Sequence, residues 1–422
     1  MQLYDTLTRR KQELPPPPGP VRMYFCGPTV YQRAHIGNAR PYILGMWLRS
    51  WLRSRGYDVT LVHNITDISD RIYEAAPGKS AELAERATQW YLEDTDALEL
   101  GRPDALPKAT EMVPEIIRFI SELIEHDYAY AVDGDVYFRV ARYPEYGQLS
   151  GQKPDQMEEQ EPNPRKEDPR DFALWKANKP EEDTSWESPW GRGRPGWHIE
   201  CSVMAEELLG PTFEIHGGGL DLVFPHHENE LAQSRALGHE FAKIWTHNGL
   251  LRFVGSKMSK SEGNVVTLRD ALEQWGRETV LVFFLTGHWS KPIDFSEETL
   301  AAAAARVEGI REVLRSESEP AREGEWQRFE AALEDDFNTP EALALLHGWR
   351  DHELLRRALE VFGLESLAEL QEAPTEVVEL ARQRQEARAA REFDEADSLR
   401  TAIEAAGWVV RDDADGFRLV PK

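Results

Sequence analysis

The stretch YFCGPTVYQRAHIGNAR, residues 24–40, decides the fold: an apolar run ends in Cys26, a loop carrying His35 follows, and Gly37 opens a helical pattern. Upstream, VRMYFC (residues 21–26) has the length and apolarity of a buried strand. Downstream, Ile43, Leu44, Trp47, Leu48, Trp51 and Leu52 recur at helical spacing, and YDVTLVHNIT (residues 57–66) returns to strand character. Strand, loop, helix and strand in that order predict a βαβ unit. Such a unit implies a parallel sheet that gathers ligands at the carboxyl ends of its strands.

A matching pattern lies far downstream. GPTFEIHGGGLDLVFPHHENELAQSRALG (residues 210–238) reads as strand, glycine turn and helix, and IWTHNGLL (residues 244–251) as another strand. Between the two halves, residues 81–195 change character, with two helical runs, a strand at DVYFRV (residues 135–140) and a Pro-, Trp- and charge-rich span. The expected fold is therefore α/β: a Rossmann-like parallel-sheet domain in two halves, 21–80 and 196–295, split by an insertion at 81–195. Residues 1–20 read as an N-terminal extension ending in the stiff segment LPPPPGP. Residues 296–372 read as an α-helical bundle, and 373–422 as a helix pair closed by a hairpin around Ala414, Asp415 and Gly416.

With 422 residues, the chain exceeds one compact core and predicts two to four domains. Its 41% hydrophobic and 29% charged residues are those of a soluble globular protein. The net charge, 49 − 75 = −26, opposes non-specific binding to nucleic acid, although a local basic face suffices for a structured RNA. No apolar run approaches the ~20 residues that span a bilayer. The start, MQLYDTLTRRKQELPPPP, lacks the apolar core of a secretory signal, so a cytoplasmic protein with no membrane partner is expected.

Cys26 and Cys201 are the chain's two cysteines, and a cytosolic protein gains little from a disulfide, which leaves metal binding, catalysis or burial. In PHHENE, His226 and Glu230 stand four apart and share one face of a helix. With both cysteines they make a borderline-soft Cys2HisGlu set suited to zinc. The same spacing equally describes two buried structural cysteines and a surface His–Glu pair. His35-Ile36-Gly37-Asn38 sits between strand and helix, where a glycine lets a phosphate approach the helix N-terminus; alone, it is also an ordinary helix start. KMSKS, residues 257–261, sets two lysines on a short loop between Gly255 and Gly263, where paired ammonium groups can neutralise a departing polyphosphate.

Taken together, these motifs carry a family resemblance. His35-Ile36-Gly37-Asn38 resembles the first signature of class I aminoacyl-tRNA synthetases, and KMSKS matches the second. Within that class, CGPTVY (26–31), NITD (64–67), GWHIECS (196–202), HGGGLDL (216–222) and FPHHENE (224–230) are similar to cysteinyl-tRNA synthetases, over about residues 21–413. The resemblance implies one zinc ion per chain, held by Cys26, Cys201, His226 and Glu230, that binds the thiol of substrate L-cysteine. Discrimination against serine would then come from coordination rather than pocket size. The insertion is also shorter than the ~200 residues expected of a separate hydrolytic domain. By the same resemblance Thr29, Thr66 and Trp197 line the amino-acid pocket, and Asp221 holds the substrate ammonium. Gly37, Gly217, Gly218 and Gly219 let ATP lie against backbone, while His198 and His227 neighbour the ligands. His35, Asn38, Lys257 and Lys260 would stabilise charge on the phosphates of ATP, with Mg2+ as partner.

The implied reaction joins cysteine to the 3′ end of tRNA(Cys) through a cysteinyl-adenylate. The region 21–295 becomes the catalytic domain with a connective insertion, and 373–422 an anticodon-binding tail. Arg384, Arg388 and Arg391 are spaced to share a helical face that meets phosphates. A monomer is expected. Asn38 stands where the family has a second histidine, keeping a donor but losing a possible cation. Two rivals share parts of the pattern: the cysteine:amino-sugar ligase of mycothiol synthesis, and a non-catalytic zinc-containing tRNA-binding paralogue. Glu230 and the C-terminal module favour the synthetase over the first, and the intact lysine loop opposes the second. Lys260→Ala should slow adenylate formation far more than it weakens cysteine binding; pyrophosphate exchange at varied cysteine concentration checks this, and equal effects on both would remove the assignment.

Overall fold

The computed structural model describes residues 1–153, 157, 161–253, 266–369, 373–413 and 416–421. The chain opens with a hairpin, β1 (Gln2–Asp5) against β2 (Arg10–Glu13), and then enters β3 (Pro20–Phe25). A short 3-10 turn, Ile36–Asn38, leads into α1 (Ala39–Ser54), which returns the chain to β4 (Asp58–His63), parallel to β3. The expected βαβ unit is thus present. Its helix buries Ile43, Leu44, Trp47, Leu48, Trp51 and Leu52. That stripe wraps most of the helix because α1 is covered on two sides. Trp47 donates its indole N–H to the Phe362 carbonyl (2.9 Å), and Trp51 meets Phe329 edge-on, so the outer tryptophans dock on later helices.

α2 (Asp70–Ala75) closes the first half, and the insertion carries α3 (Ser80–Asp96) and α4 (Val113–Glu125). Its own antiparallel sheet follows, β5 (Ala129–Val132), β6 (Asp135–Phe138), β7 (Phe172–Ala177) and β8 (Gly193–Pro195), paired in that order. α5 (Trp197–Leu209) then brings the chain back to β9 (Thr212–Gly219), and α6 (Glu228–Ala236) connects it to β10 (Phe241–Asn248), parallel to β9. The central sheet has the order β10-β9-β3-β4, all parallel. From the inner pair β3 and β9, the connections run outward in opposite directions. The crevice at the carboxyl ends of these two strands is therefore a topological switch point, where open α/β sheets bind ligands.

β11 (Leu251–Phe253) pairs with β12 (Ile293–Phe295) across α7 (Leu268–Trp275) and α8 (Arg277–Leu285). The helices α9 (Glu297–Arg315), α10 (Glu325–Glu334), α11 (Thr339–Gly348) and α12 (His352–Val361) complete a first compact unit, Met1–Leu364. The second unit, Glu365–Lys422, holds α13 (Thr375–Ala390), α14 (Phe393–Ala405) and the hairpin β13 (Trp408–Asp413) with β14 (Gly416–Pro421). Val377, Ala381, Ile403, Trp408 and Val410 form its small core. Ala414 and Asp415 of the expected hairpin turn lie outside the described residues.

Two sequence readings change. The HGGG glycines make no turn; Gly217, Gly218 and Gly219 are the last residues of β9, paired with Thr246, His247 and Asn248. Their smallness serves packing, since a Cβ on Gly217 would overlap the Phe25 ring and one on Gly218 would meet the His227 ring at 2.8 Å. Nor is the arginine row a bare cationic face, since two of its members are paired. Arg384 binds the Asp412 carboxylate with both terminal nitrogens (2.7 and 3.1 Å) and Arg388 joins the same group. Arg391 ends α13 in the left-handed region at φ 64°. The Asp412 carboxyl is pulled down to about 2, first by its hydrogen bond from Arg384. Gly217→Ala should lower stability by about 1–3 kcal/mol, because Phe25 is fully buried and has nowhere to move. A urea midpoint equal to wild type would contradict that account.

Candidate functional site

Cys26 is the first residue beyond β3, and its N–H donates to the Gly217 carbonyl of β9 at 2.9 Å, which pins it at the switch point. The loops that follow β3 and β4 are zipped together: Gly27 N–H donates to Asn64 Oδ1 (2.8 Å), Val30 N–H to the Thr66 carbonyl (3.1 Å) and Thr66 N–H to the Pro28 carbonyl (3.1 Å). Thr29 and Thr66 are thereby brought side by side. Thr29 lines a cavity of about 430 Å3, whereas Thr66 is not among its lining residues and meets the Thr29 segment through backbone hydrogen bonds.

That same cavity is lined by Cys26, His35, Gly37, Asn38, Trp197, Gly219 and Asp221, so the expected amino-acid and phosphate residues converge. Gly217 and Gly218 stand apart from it and pack on rings instead. Trp197, 41% exposed, stacks on His226 with ring centroids 4.3 Å apart and forms one wall. At the opposite end, Ile36 N–H donates to the Val266 carbonyl (3.1 Å) and Leu268 N–H to that of Ala34 (2.9 Å). The helix start bearing His35 and Asn38 is thus tied to the residues that close the lysine loop. Lys257 and Lys260 themselves lie outside the described residues. Arg40, buried in the first turn of α1, donates to the carbonyls of Gly249 and His288 and fixes the strand end that lines the cavity. Burial lowers its guanidinium to about 10.

Behind Cys26 lies a dense group of donors. One atom each from Cys26, Cys201, His226 and Glu230 falls within 4.8 Å of the others, and all four residues are buried. His226 belongs to the wide helical turn Val223–His227 that precedes α6, and its Nε2 approaches Glu230 Oε1 at 3.1 Å. A second set, Cys26, His216, His227 and Glu230, meets the same limit. The two sets share Cys26 and Glu230, and the thiol of Cys201 belongs to the first alone. His216 Nε2 lies 2.7 Å from Glu230 Oε2 and His227 Nε2 3.3 Å from Cys26 Sγ, which with the first set as ligands makes these two rings hydrogen-bond partners of the shared residues. His198 Nδ1 is 3.0 Å from His226 Nδ1. Sequence reasoning placed His198 and His227 beside the ligands but missed His216 and His247. The available signal was position, since both lie in the carboxyl-terminal half of a strand whose neighbours already carried site residues.

Burial pushes Cys26, Glu230 and His226 toward their neutral forms. The Cys26 thiol and the Glu230 carboxyl are raised well above their ordinary values, first by desolvation, while the His226 ring is driven well down by the same cause. A cation is what such a set lacks, and two thiols, an imidazole and a carboxyl are the donors a borderline-soft divalent metal takes. The residues therefore fit a metal of the zinc type.

Burial also brings His198, His216 and His247 down to about 3, and His63 to about 4. Between pH 6.5 and 4 the unfolded chain binds protons that these rings refuse, so stability falls as pH falls. Carboxyls that burial raises, Glu200 and Glu230 well above their ordinary range, act in the opposite direction, and the rings of His226 and His227, driven well down by the same cause, add to the histidine side. The urea midpoint of metal-free protein should be lower at pH 5 than at pH 7, and an unchanged or higher midpoint would contradict the buried-neutral assignment.

Three family models match the chain: the tRNA synthetases class I (C) catalytic domain over residues 14–305, the DALR domain over 328–352, and the cysteinyl-tRNA ligase anticodon binding domain over 370–418. The cysteine–tRNA ligase of Pseudothermotoga lettingae is 43% identical over 455 residues, covering 99% of this chain and 98% of the relative. That of Brevibacillus brevis is 42% identical over 464 residues, covering 99% of each. A solved Mycobacterium tuberculosis methionyl-tRNA synthetase in complex with methionyl-adenylate shares the fold, with a TM-score of 0.57 at 16% identity over 82% of this chain and 88% of that one. The catalytic-domain match over most of the chain and the full-length identity to these relatives establish that this chain belongs to the cysteine–tRNA ligase family, among the class I aminoacyl-tRNA synthetases.

Proposed function

We propose that the chain selects L-cysteine with a bound zinc ion, activates it with ATP and Mg2+, and transfers it to the 3′ end of tRNA(Cys). Membership of the cysteine–tRNA ligase family carries the overall reaction, and the buried Cys26–Cys201–His226–Glu230 group at the floor of the cavity is the observation that carries the mode of selection. Those four residues would hold the metal. Zinc bound there supplies a Lewis acid that favours a deprotonated thiol at neutral pH, which a hydroxyl of serine cannot match.

The remaining work falls to the chain's own residues. Thr29, braced by Thr66, and Trp197 close around the amino acid, and Asp221, exposed at the mouth, offers its carboxylate to the substrate ammonium. Their fixed placement brings the cysteine carboxylate to the α-phosphorus, where an oxygen forms the new bond as pyrophosphate departs. His35 and Asn38 at the start of α1 offer donors to the phosphates, Gly37 leaves the backbone open, and Lys257 and Lys260 would neutralise the leaving group. A ribose hydroxyl at the tRNA terminus then attacks the acyl carbon and AMP leaves. No protein nucleophile enters.

The match of residues 370–418 to an anticodon binding domain supports tRNA over an amino sugar as acceptor. No described helix is long and apolar enough to cross a membrane. We take the working form to be a cytoplasmic monomer. Labelled cysteine should be transferred to tRNA by protein loaded with zinc, alongside cysteine-dependent pyrophosphate exchange. Exchange without transfer would redirect the assignment to another acceptor, and silence in both would sink it. Cys26→Ser should lose zinc and cysteine activation together, and full activity in metal-free protein would refute the zinc role.

A further inference from the structure

The N-terminal hairpin belongs to no motif, yet it reaches the metal site. Thr6, in the turn after β1, places Oγ1 2.7 Å from His247 Nδ1. His247 Nε2 lies 2.7 Å from His227 Nδ1, and His227 Nε2 lies 3.3 Å from Cys26 Sγ. We propose that Thr6, His247 and His227 form a one-directional hydrogen-bond chain that holds an N–H donor against the Cys26 sulfur, making the hairpin a positioning element of the metal site. The proposal rests on the metal reading given above.

The direction follows from the end of the chain. A metal-bound cysteine sulfur is a thiolate with no proton to give, so His227 Nε2 must be the donor. A neutral imidazole carries one N–H, which leaves His227 Nδ1 bare, and it accepts from His247 Nε2. His247 Nδ1 is then bare as well, and the Thr6 hydroxyl supplies its proton. Both rings are enclosed, and for two neutral imidazoles beside a thiolate this is the single arrangement with every nitrogen paired. If the hydroxyl is removed, His247 can carry its proton on Nδ1. His227 is then free to turn its own proton toward His247, and a bare nitrogen faces the sulfur.

Both ends are held in place. Thr6 N–H donates to the Trp245 carbonyl at 3.0 Å, and Trp245 N–H donates to Asp5 Oδ1 at 2.9 Å. Asp5, fully buried, also takes the N–H groups of Leu7 (3.2 Å) and Thr8 (2.8 Å), which sets the turn against β10. At the other end Gly218 leaves the space that the His227 ring fills.

The test uses full-length protein loaded with Co2+, whose thiolate-to-cobalt charge-transfer band reports the electron density on sulfur. His227→Phe removes the donor; it should move the band to lower energy and weaken metal retention against a chelator by roughly 10–100-fold. Thr6→Val, nearly equal in shape, should move the band in the same direction by less, and Thr6→Ser should restore the wild-type position. The urea midpoint of each variant separates this from loss of packing. A Thr6→Val band at the wild-type energy, whatever its stability, overturns the chain; so does a Thr6→Ser band that stays with Thr6→Val. Wild-type protein with no thiolate band overturns the metal reading itself, and the chain with it.

Discussion

Four ionisable donors enclosed within 4.8 Å of one another cannot all carry their working charges without a compensating cation. This constraint organises the centre of the molecule. Cys26 and Cys201 come from opposite halves of the sheet domain, His226 and Glu230 from the turn and helix after β9, and nothing but the folded sheet brings them together. Each of the two ligands nearest the surrounding histidines has a ring of its own, His216 for Glu230 and His227 for Cys26. Those rings need space and support, and the neighbouring elements provide both: Gly218 in β9, Trp245 stacked on His216 at 4.4 Å, and the hairpin latched through Asp5.

The same geometry explains why one cavity can serve both halves of the chemistry. The switch point between β3 and β9 puts a buried donor cluster at the floor, while the start of α1 faces the mouth. In the proposed reaction, selection by side chain and handling of phosphate would then take different parts of one crevice. The pairing of residues 34–36 with 266–268 links the phosphate end to the segment that closes the lysine loop.

Much of this was legible in the sequence, for physical reasons. The period of Ile43, Leu44, Trp47 and Trp51 and the apolar runs on either side announce β3-α1-β4, because each buries a continuous face. Cys26 and His35 could be placed at strand and helix ends from neighbouring glycines alone. What could not be read depends on long-range contact. MQLYDTLTRRKQE reads only as an N-terminal extension, and its hairpin is anchored by an Asp5–Trp245 bond across 240 positions. HGGG looks like a turn, whereas its glycines are demanded by the rings of Phe25 and His227. The arginine row of α13 looks like an RNA face until Asp412 folds back and occupies Arg384 and Arg388.

The central claim is that the buried group is a two-cysteine metal site. X-ray absorption at the metal edge of the purified full-length protein addresses it most directly, because sulfur and lighter ligands differ in distance, roughly 2.3 Å against 2.0–2.1 Å for zinc. The account predicts one zinc per chain with two sulfur and two nitrogen or oxygen neighbours. A shell with a single sulfur would point to the set containing His216 and His227, and a shell with none would contradict the site altogether.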